Sequence, residues 1–321
     1  MRAFCCVRSL GLLKELEGNF DKRGAGGMHE YIDGVVSFSR QYASRIFLAA
    51  LVIALLEYLL PQSRHSLMSR VRGAIFWAAY IPITATGLIL FGRLWAQLGI
   101  SPLFHLDFSV LSSSPHQSLR VLGGIVASLL LIQVAEFFYY WFHRAQHTFP
   151  FLWRFHAEHH SIREMNAFNS NHHFSEELLR IPFITIPISL LFSFEQGYVP
   201  WLWAFLMGWQ GIYEHSATKI HFGIFRYIVP DNRFHRIHHS NQPEHFNRNF
   251  GSGSALCDIV FGTAYYPRND EWPDTGLDHM DEPKSMREFL LRPFRPKKSE
   301  TSIDDDMRHK SIIKGLKKNE G

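Results

Sequence analysis

Residues 139–160 read YYWFHRAQHTFPFLWRFHAEHH, and the rest of the chain is interpreted from this stretch. It holds His143-x-x-x-His147 and then His156-x-x-His159-His160. A third cluster, His235-x-x-His238-His239, follows further on. On an α-helix, residues three and four apart share a face, so His143 and His147 point the same way. The same spacing lines one face with His156, His159 and His160, with the two adjacent rings fanned about 100° apart. Such a fan serves two metals, one on each side, and His235, His238 and His239 repeat it. Eight imidazoles are twice the four ligands of a closed structural zinc site, and no thiolate joins them. The pattern points to a two-metal centre. Imidazole suits iron, zinc, copper and nickel, so ligand type alone does not choose the metal.

The chain has 19 histidines, and thirteen of them fall between His143 and His245. Scattered histidines are ordinary packed or solvated residues; these are bunched at ligand spacing. A tract that merely buffers metal is usually of low complexity, whereas these motifs are interleaved with Trp, Phe and Arg.

Apolar residues make up 46% of the 321 residues and aromatics 15%, with 28 Phe. Long uncharged apolar runs lie in the first two thirds and charges gather near both ends, the profile of an integral membrane protein with polar ends. A net charge of +4 implies no nucleic-acid partner; the basic excess fits topology or lipid contact. Cys5, Cys6 and Cys257 form neither a disulfide framework nor a CxxC metal motif.

Residues 1–28 lack the layout of a cleaved signal peptide, and either Met1 or Met28 serves as a start. Gln41–Leu60 and Gly73–Phe91 read as two spans joined by a loop with Arg64, Arg70 and Arg72, which argues that this loop is cytoplasmic. Val121–Phe142 is a third span that runs straight into the first histidine cluster. Glu136, Tyr140, His143 and His147 share a face of it. An acid inside a span marks a functional-site hypothesis: Glu136 either orients a ligand histidine or is paired within the bundle. His173 and Glu176, three apart, are candidates to join the site. The apolar runs Ile181–Phe194 and Tyr198–Tyr213 are each too short to span and suggest a bent or re-entrant hairpin. That hairpin ends at Glu214-His215, which brings His215, and beyond it His221, towards the other clusters. Gly251-Ser-Gly-Ser is a turn, without the spacing of a phosphate loop.

Three motifs in this order, with the words LWRFHAEHHS, FHRIHHS and NFGSGSALCDIVFGTAYYP, make the sequence resemble the fatty acid hydroxylase / sterol desaturase superfamily from about Leu119 to Pro267. Among its members it resembles bacterial proteins and alkylglycerol monooxygenases. The resemblance implies a di-iron centre, two Fe per chain, that uses O2 to hydroxylate or desaturate a membrane lipid. It implies metal ligands at His143, His147, His156, His159, His160, His215, His235, His238 and His239, with His173 matching a further family histidine. Glu136, Glu176 and Glu214 are the candidate supporting acids. Asn171 and Cys257 stand where many bacterial relatives carry Arg and Trp, which bears on substrate choice. The chain shows no flavin, nicotinamide or iron–sulfur motif, so an external electron donor, a separate electron-transfer protein or a pterin, is implied. A multi-pass protein of the bacterial inner membrane follows from the same resemblance.

The expected fold is an all-α membrane helical bundle of about four apolar helical segments under a histidine-rich cytoplasmic cap. The expected division is a polar leader 1–40, a membrane hairpin and loop 41–118, a catalytic domain 119–268 and a polar tail 269–321. The rival reading is a zinc protein that hydrolyses a lipid ester, with Glu158 or Glu214 as general base, or that only binds metal. No HExxH or GxSxG motif supports the hydrolase.

Overall fold

The computed structural model describes residues 28–106, 115–194 and 208–295. The expectations for the leader with Cys5 and Cys6, for the chain break at Glu195 and for the charged tail lie outside the described residues. Three helices carry the fold: α1 Met28–Leu59, α2 Leu67–Leu98 and α3 Gln117–Thr148, each of 32 residues. At about 1.5 Å per residue each is roughly 48 Å long, more than the roughly 30 Å of bilayer hydrocarbon. Among the described residues these are the three helices long and apolar enough to cross a membrane. The protein is an all-α membrane helical bundle.

Inside lipid, helices are held by close packing rather than by apolar burial alone. Ala49, Ala50, Ala85, Ala127 and Ala135 supply that approach and are at most 1% exposed. Leu51, Leu55, Leu94 and Leu130 lie exposed on the outer faces, where lipid covers them.

The ends of the helices position the cap. Ser66 caps α2 by accepting the Ser69 N–H at 3.1 Å. Pro150 opens α4, Pro150–His160, at its first position. Proline has no N–H to extend α3 and a backbone suited to starting a helix, so the chain breaks at Phe149 and α4 turns back over the histidine-bearing end of α3. Asp231 caps α7, Asn232–His238, by accepting the Phe234 N–H at 2.9 Å.

The fourth apolar run is broken rather than spanning. α5, Ser175–Arg180, passes into a π turn over Ile181–Thr185 and a short α6, Ile186–Leu191. Pro182 and Pro187 supply no donors here. β2, Phe192–Phe194, then pairs in parallel with β1, Phe104–Leu106. Residues 208–213 are helical again. The last helices are α8, Leu256–Val260, and α9, Met286–Leu291.

Two acids of the long helices, Glu57 and Glu136, tie the cap to the bundle. Glu57 on α1 accepts the backbone N–H groups of Ala167 and Ala217, each at 2.9 Å, and pairs with Arg70. Glu136 on α3 accepts the Ser252 N–H at 3.0 Å. It thus meets a cap loop, not a histidine ring, so a carboxylate that is costly in lipid is solvated by backbone donors. At Gly73 a Cβ would overlap the Phe168 carbonyl, so α2 touches a cap loop directly.

Candidate metal centre

α3 carries His143 and His147, α4 carries His156, His159 and His160, α7 and its C-cap carry His235, His238 and His239, and His215 follows the helical residues 208–213. The structure brings these nine rings together and sorts them into two groups. One holds His143, His147, His156, His160 and His238; the other holds His159, His215, His235 and His239. Within each group the facing ligand atoms lie within 4.8 Å of one another. In α4 and α7 the residues four apart go to one group and the residue between them to the other, as a 100° step per residue requires.

Outer hydrogen bonds set the tautomers. The Nδ1–H groups of His143, His159, His215 and His238 donate to the carbonyls of Phe250, Asn171, Gly211 and Arg248, at 2.7, 2.9, 2.9 and 2.8 Å. His156 Nδ1 faces both oxygens of Glu176 at 3.4 Å. A carbonyl or carboxylate only accepts, so the proton sits on Nδ1 and the Nε2 lone pair points inward. Yet Nε2 of His143 is 3.0 Å from Nε2 of His156, and Nε2 of His159 is 3.2 Å from Nε2 of His215. Two facing lone pairs at that distance repel, and a cation between them relieves the repulsion. Burial, and then the neighbouring imidazoles, hold His160 and His239 well below the usual histidine range. A proton is disfavoured in this cluster, and a metal ion fits.

The spacing is informative as well. Two nitrogens each about 2.1 Å from one ion are about 3.0–3.2 Å apart when they subtend roughly 90–100°, and about 3.4 Å apart at the tetrahedral angle. The Nε2 pairs His156–His160, His215–His235 and His235–His239 are all at 3.1 Å.

Glu176 lies behind the first group. Burial would raise its carboxyl, but the facing His172 and His156 rings hold it well below the usual carboxylate range. It accepts from His172 Nδ1 at 3.1 Å and Gln146 Nε2 at 2.8 Å. The structure does not bring His173 into either group: its ring packs on Phe155, Phe289 and Phe294, with Nε2 directed at the Leu290 carbonyl. Its neighbour His172 instead stacks on His159, centroids 3.6 Å apart. His172 is not among the candidates read from sequence, although its four-residue spacing to Glu176 is a usable signal. His221 is exposed and outside both groups.

Two further acids were candidates. Glu214 accepts from Ser252 Oγ at 2.8 Å and lies 3.9–4.0 Å from His215 and His235. Glu158, a candidate base for ester hydrolysis, is held in a two-point ion pair by Arg292 at 2.8 and 2.6 Å. The closing stretch of the motif region also braces the site. Asp258 accepts the N–H groups of Phe250 and Gly251 and the Thr263 hydroxyl, fixing the loop whose Phe250 carbonyl holds His143.

The family model described as Fatty acid hydroxylase matches residues 128–263, a stretch that contains every histidine of both groups. No curated protein and no solved structure shows significant similarity to the chain.

Proposed function

We propose, with a fatty acid hydroxylase domain over residues 128–263 as the premise, that the chain is a membrane enzyme that uses O2 to hydroxylate or desaturate a lipid. The facing Nε2 lone pairs in both histidine groups are the observation that carries this reading, because they fit two metal ions per chain. Iron is proposed over zinc because O2-dependent attack on a C–H bond needs a redox-active metal, and zinc has no redox chemistry. A redox metal pair bound there would supply activation of O2 for attack on an unactivated C–H bond, chemistry that side chains alone do not perform. The chain's own residues hold the ring orientations: Glu176 behind His156, and backbone carbonyls behind His143, His159, His215 and His238. Glu158 supports the hydrolase alternative poorly, since Arg292 already engages both its oxygens.

A narrow cleft reaches the site; Tyr42, Trp77 and Tyr80 of α1 and α2 border it, as do His172, Glu214 and His215. A lipid enters it from the bundle. Electrons come from a separate electron-transfer protein or a pterin. The α1–α2 loop is joined to the cap, with Lys219 N–H on the Leu60 carbonyl at 2.8 Å, so loop and centre share one face. Arg64, Arg70 and Arg72 in or beside that loop favour the cytoplasmic face, and the inner membrane of a bacterium is the setting proposed.

The test is elemental mass spectrometry of the detergent-purified protein with oxygen uptake under a reductant. Two irons per chain and lipid-dependent uptake are expected, and His159→Ala and His238→Ala each lose metal and uptake together. Stoichiometric zinc with no uptake after iron reconstitution, or full metal content in both variants, refutes the reading.

A further inference from the structure

Arg180, at the end of α5, borders the same cavity and is 5% exposed. Its Nη1 donates to Glu177, and the Tyr80 hydroxyl donates to the same carboxylate oxygen. Its other edge, formed by Nε and Nη2, meets no acceptor among the described residues. Those two groups make the planar fork with which a guanidinium binds a pair of oxygens. The chain shows such a fork filled elsewhere: Arg292 Nε and Nη2 hold the two oxygens of Glu158. A buried charged group with two unmet donors is strongly unfavourable unless something accepts from them.

We propose that the Arg180 fork binds the oxygen-bearing end of a lipid, and that this end is a neutral acceptor: a hydroxyl, an ether or an ester carbonyl. Charge decides between neutral and anionic ends. Glu177 already balances Arg180, and Glu214 borders the same cavity. Without metal in the histidine groups, a free carboxylate or phosphate at the fork adds an uncompensated buried negative charge, which is costly. A neutral oxygen satisfies both donors and leaves the pair balanced. The remaining lining fits the rest of such a ligand, because Tyr42, Trp77 and Tyr80 give an aromatic wall for a hydrocarbon chain. That the bound chain is then oxidised rests on the oxygenase reading, since His172 and His215 border the cavity too; the preference of the fork for oxygen does not.

The test is binding, not turnover. Radiolabelled methyl hexadecanoate is bound to the purified full-length protein and displaced by hexadecane, hexadecanol or hexadecanoic acid. Hexadecanol and the unlabelled ester are expected to compete at least about tenfold better than hexadecane, and the acid no better than hexadecane. Arg180→Lys keeps the charge beside Glu177 but loses the fork, so the preference for oxygenated competitors over hexadecane falls about tenfold or more. No saturable ester binding, equal competition by ester and alkane in the unmodified protein, a preference for the acid, or an intact preference in Arg180→Lys overturns the proposal. The panel on the unmodified protein decides the matter even where a variant fails to fold. The readout needs neither metal nor oxygen, so failure here and failure of the oxygenase reading are separate results.

Discussion

Replacing Glu176 by glutamine isolates what one buried carboxylate does for the metal groups. Three donors converge on its two oxygens: Gln146 Nε2 at 2.8 Å, His172 Nδ1 at 3.1 Å and His156 Nδ1 at 3.4 Å. The amide of Glu176→Gln keeps the shape but turns one acceptor into a donor and removes the charge. A hydrogen bond to a charged group is worth about 1.5–3 kcal/mol. The His156 contact is longer than the usual range, so its share falls near the low limit, where about 1.4 kcal/mol is tenfold in affinity. Outer-sphere partners of this kind typically carry about 10–100-fold in metal affinity. The expectation is therefore roughly tenfold weaker binding in the group that contains His156. The other group is held by the carbonyls behind His159 and His215 and keeps its affinity. Chelator competition followed by elemental analysis reads this as one ion per chain leaving at about a tenfold lower chelator concentration. Loss of both ions together, or no shift for either, refutes the reasoning.

Other substitutions probe the neighbouring features. His172→Ala is expected to lower metal retention while His173→Ala leaves it unchanged, measured by the same chelator titration; equal behaviour of the pair contradicts the placement of His172. Glu57→Ala leaves the Ala167 and Ala217 N–H groups buried without their acceptor, at about 1–3 kcal/mol each, so a loss of about 2–6 kcal/mol is expected in denaturant unfolding, with Glu57→Gln recovering part of it. A loss below about 1 kcal/mol in Glu57→Ala argues against the clamp. Burial would raise the Glu164 carboxyl, but hydrogen bonds from Ser66 hold it below the usual range of about 4.5. Its folded-state pKa is depressed, so the stability it adds is present above pH 4.5 and lost as pH falls through the lower folded value. Unfolding midpoints followed from neutral pH into that range are expected to drop less steeply in Glu164→Gln, and parallel curves refute the assignment.

Much of the site was legible in the chain because helical spacing is local. The fan of His159 beside His160, and of His238 beside His239, announces two ions on two sides, and the structure sends the members of each pair to different groups. The partition itself was not legible, since each group draws on three or more separate segments and only the tertiary fold says which ring faces which. The outer partners were hidden for a different reason. The carbonyls of Phe250, Asn171, Gly211 and Arg248 belong to the backbone, and a carbonyl leaves no mark in a residue pattern. Glu136 was conspicuous as an acid inside an apolar run, but nothing local shows that its partner, or that of Glu57, is an N–H group more than a hundred residues away. The three spans declared themselves by length and composition; the run at 181–194 did not, because its prolines and π turn divide it.

The sharing of α4 and α7 between the two groups has a consequence for what the chain tolerates. α4 gives His156 and His160 to one group and His159 to the other; α7 with its cap gives His238 to the first and His235 and His239 to the second. Each helix is thus a ruler, and the gap between two bound ions is graduated by its turn rather than by any loop. The connections from 161 to 171 and from 216 to 230 contribute no ring to either group. A single residue inserted between His156 and His159, or between His235 and His238, rotates the later histidines by about 100° and removes a ring from both groups at once. The two short helices therefore have no room for a change of length.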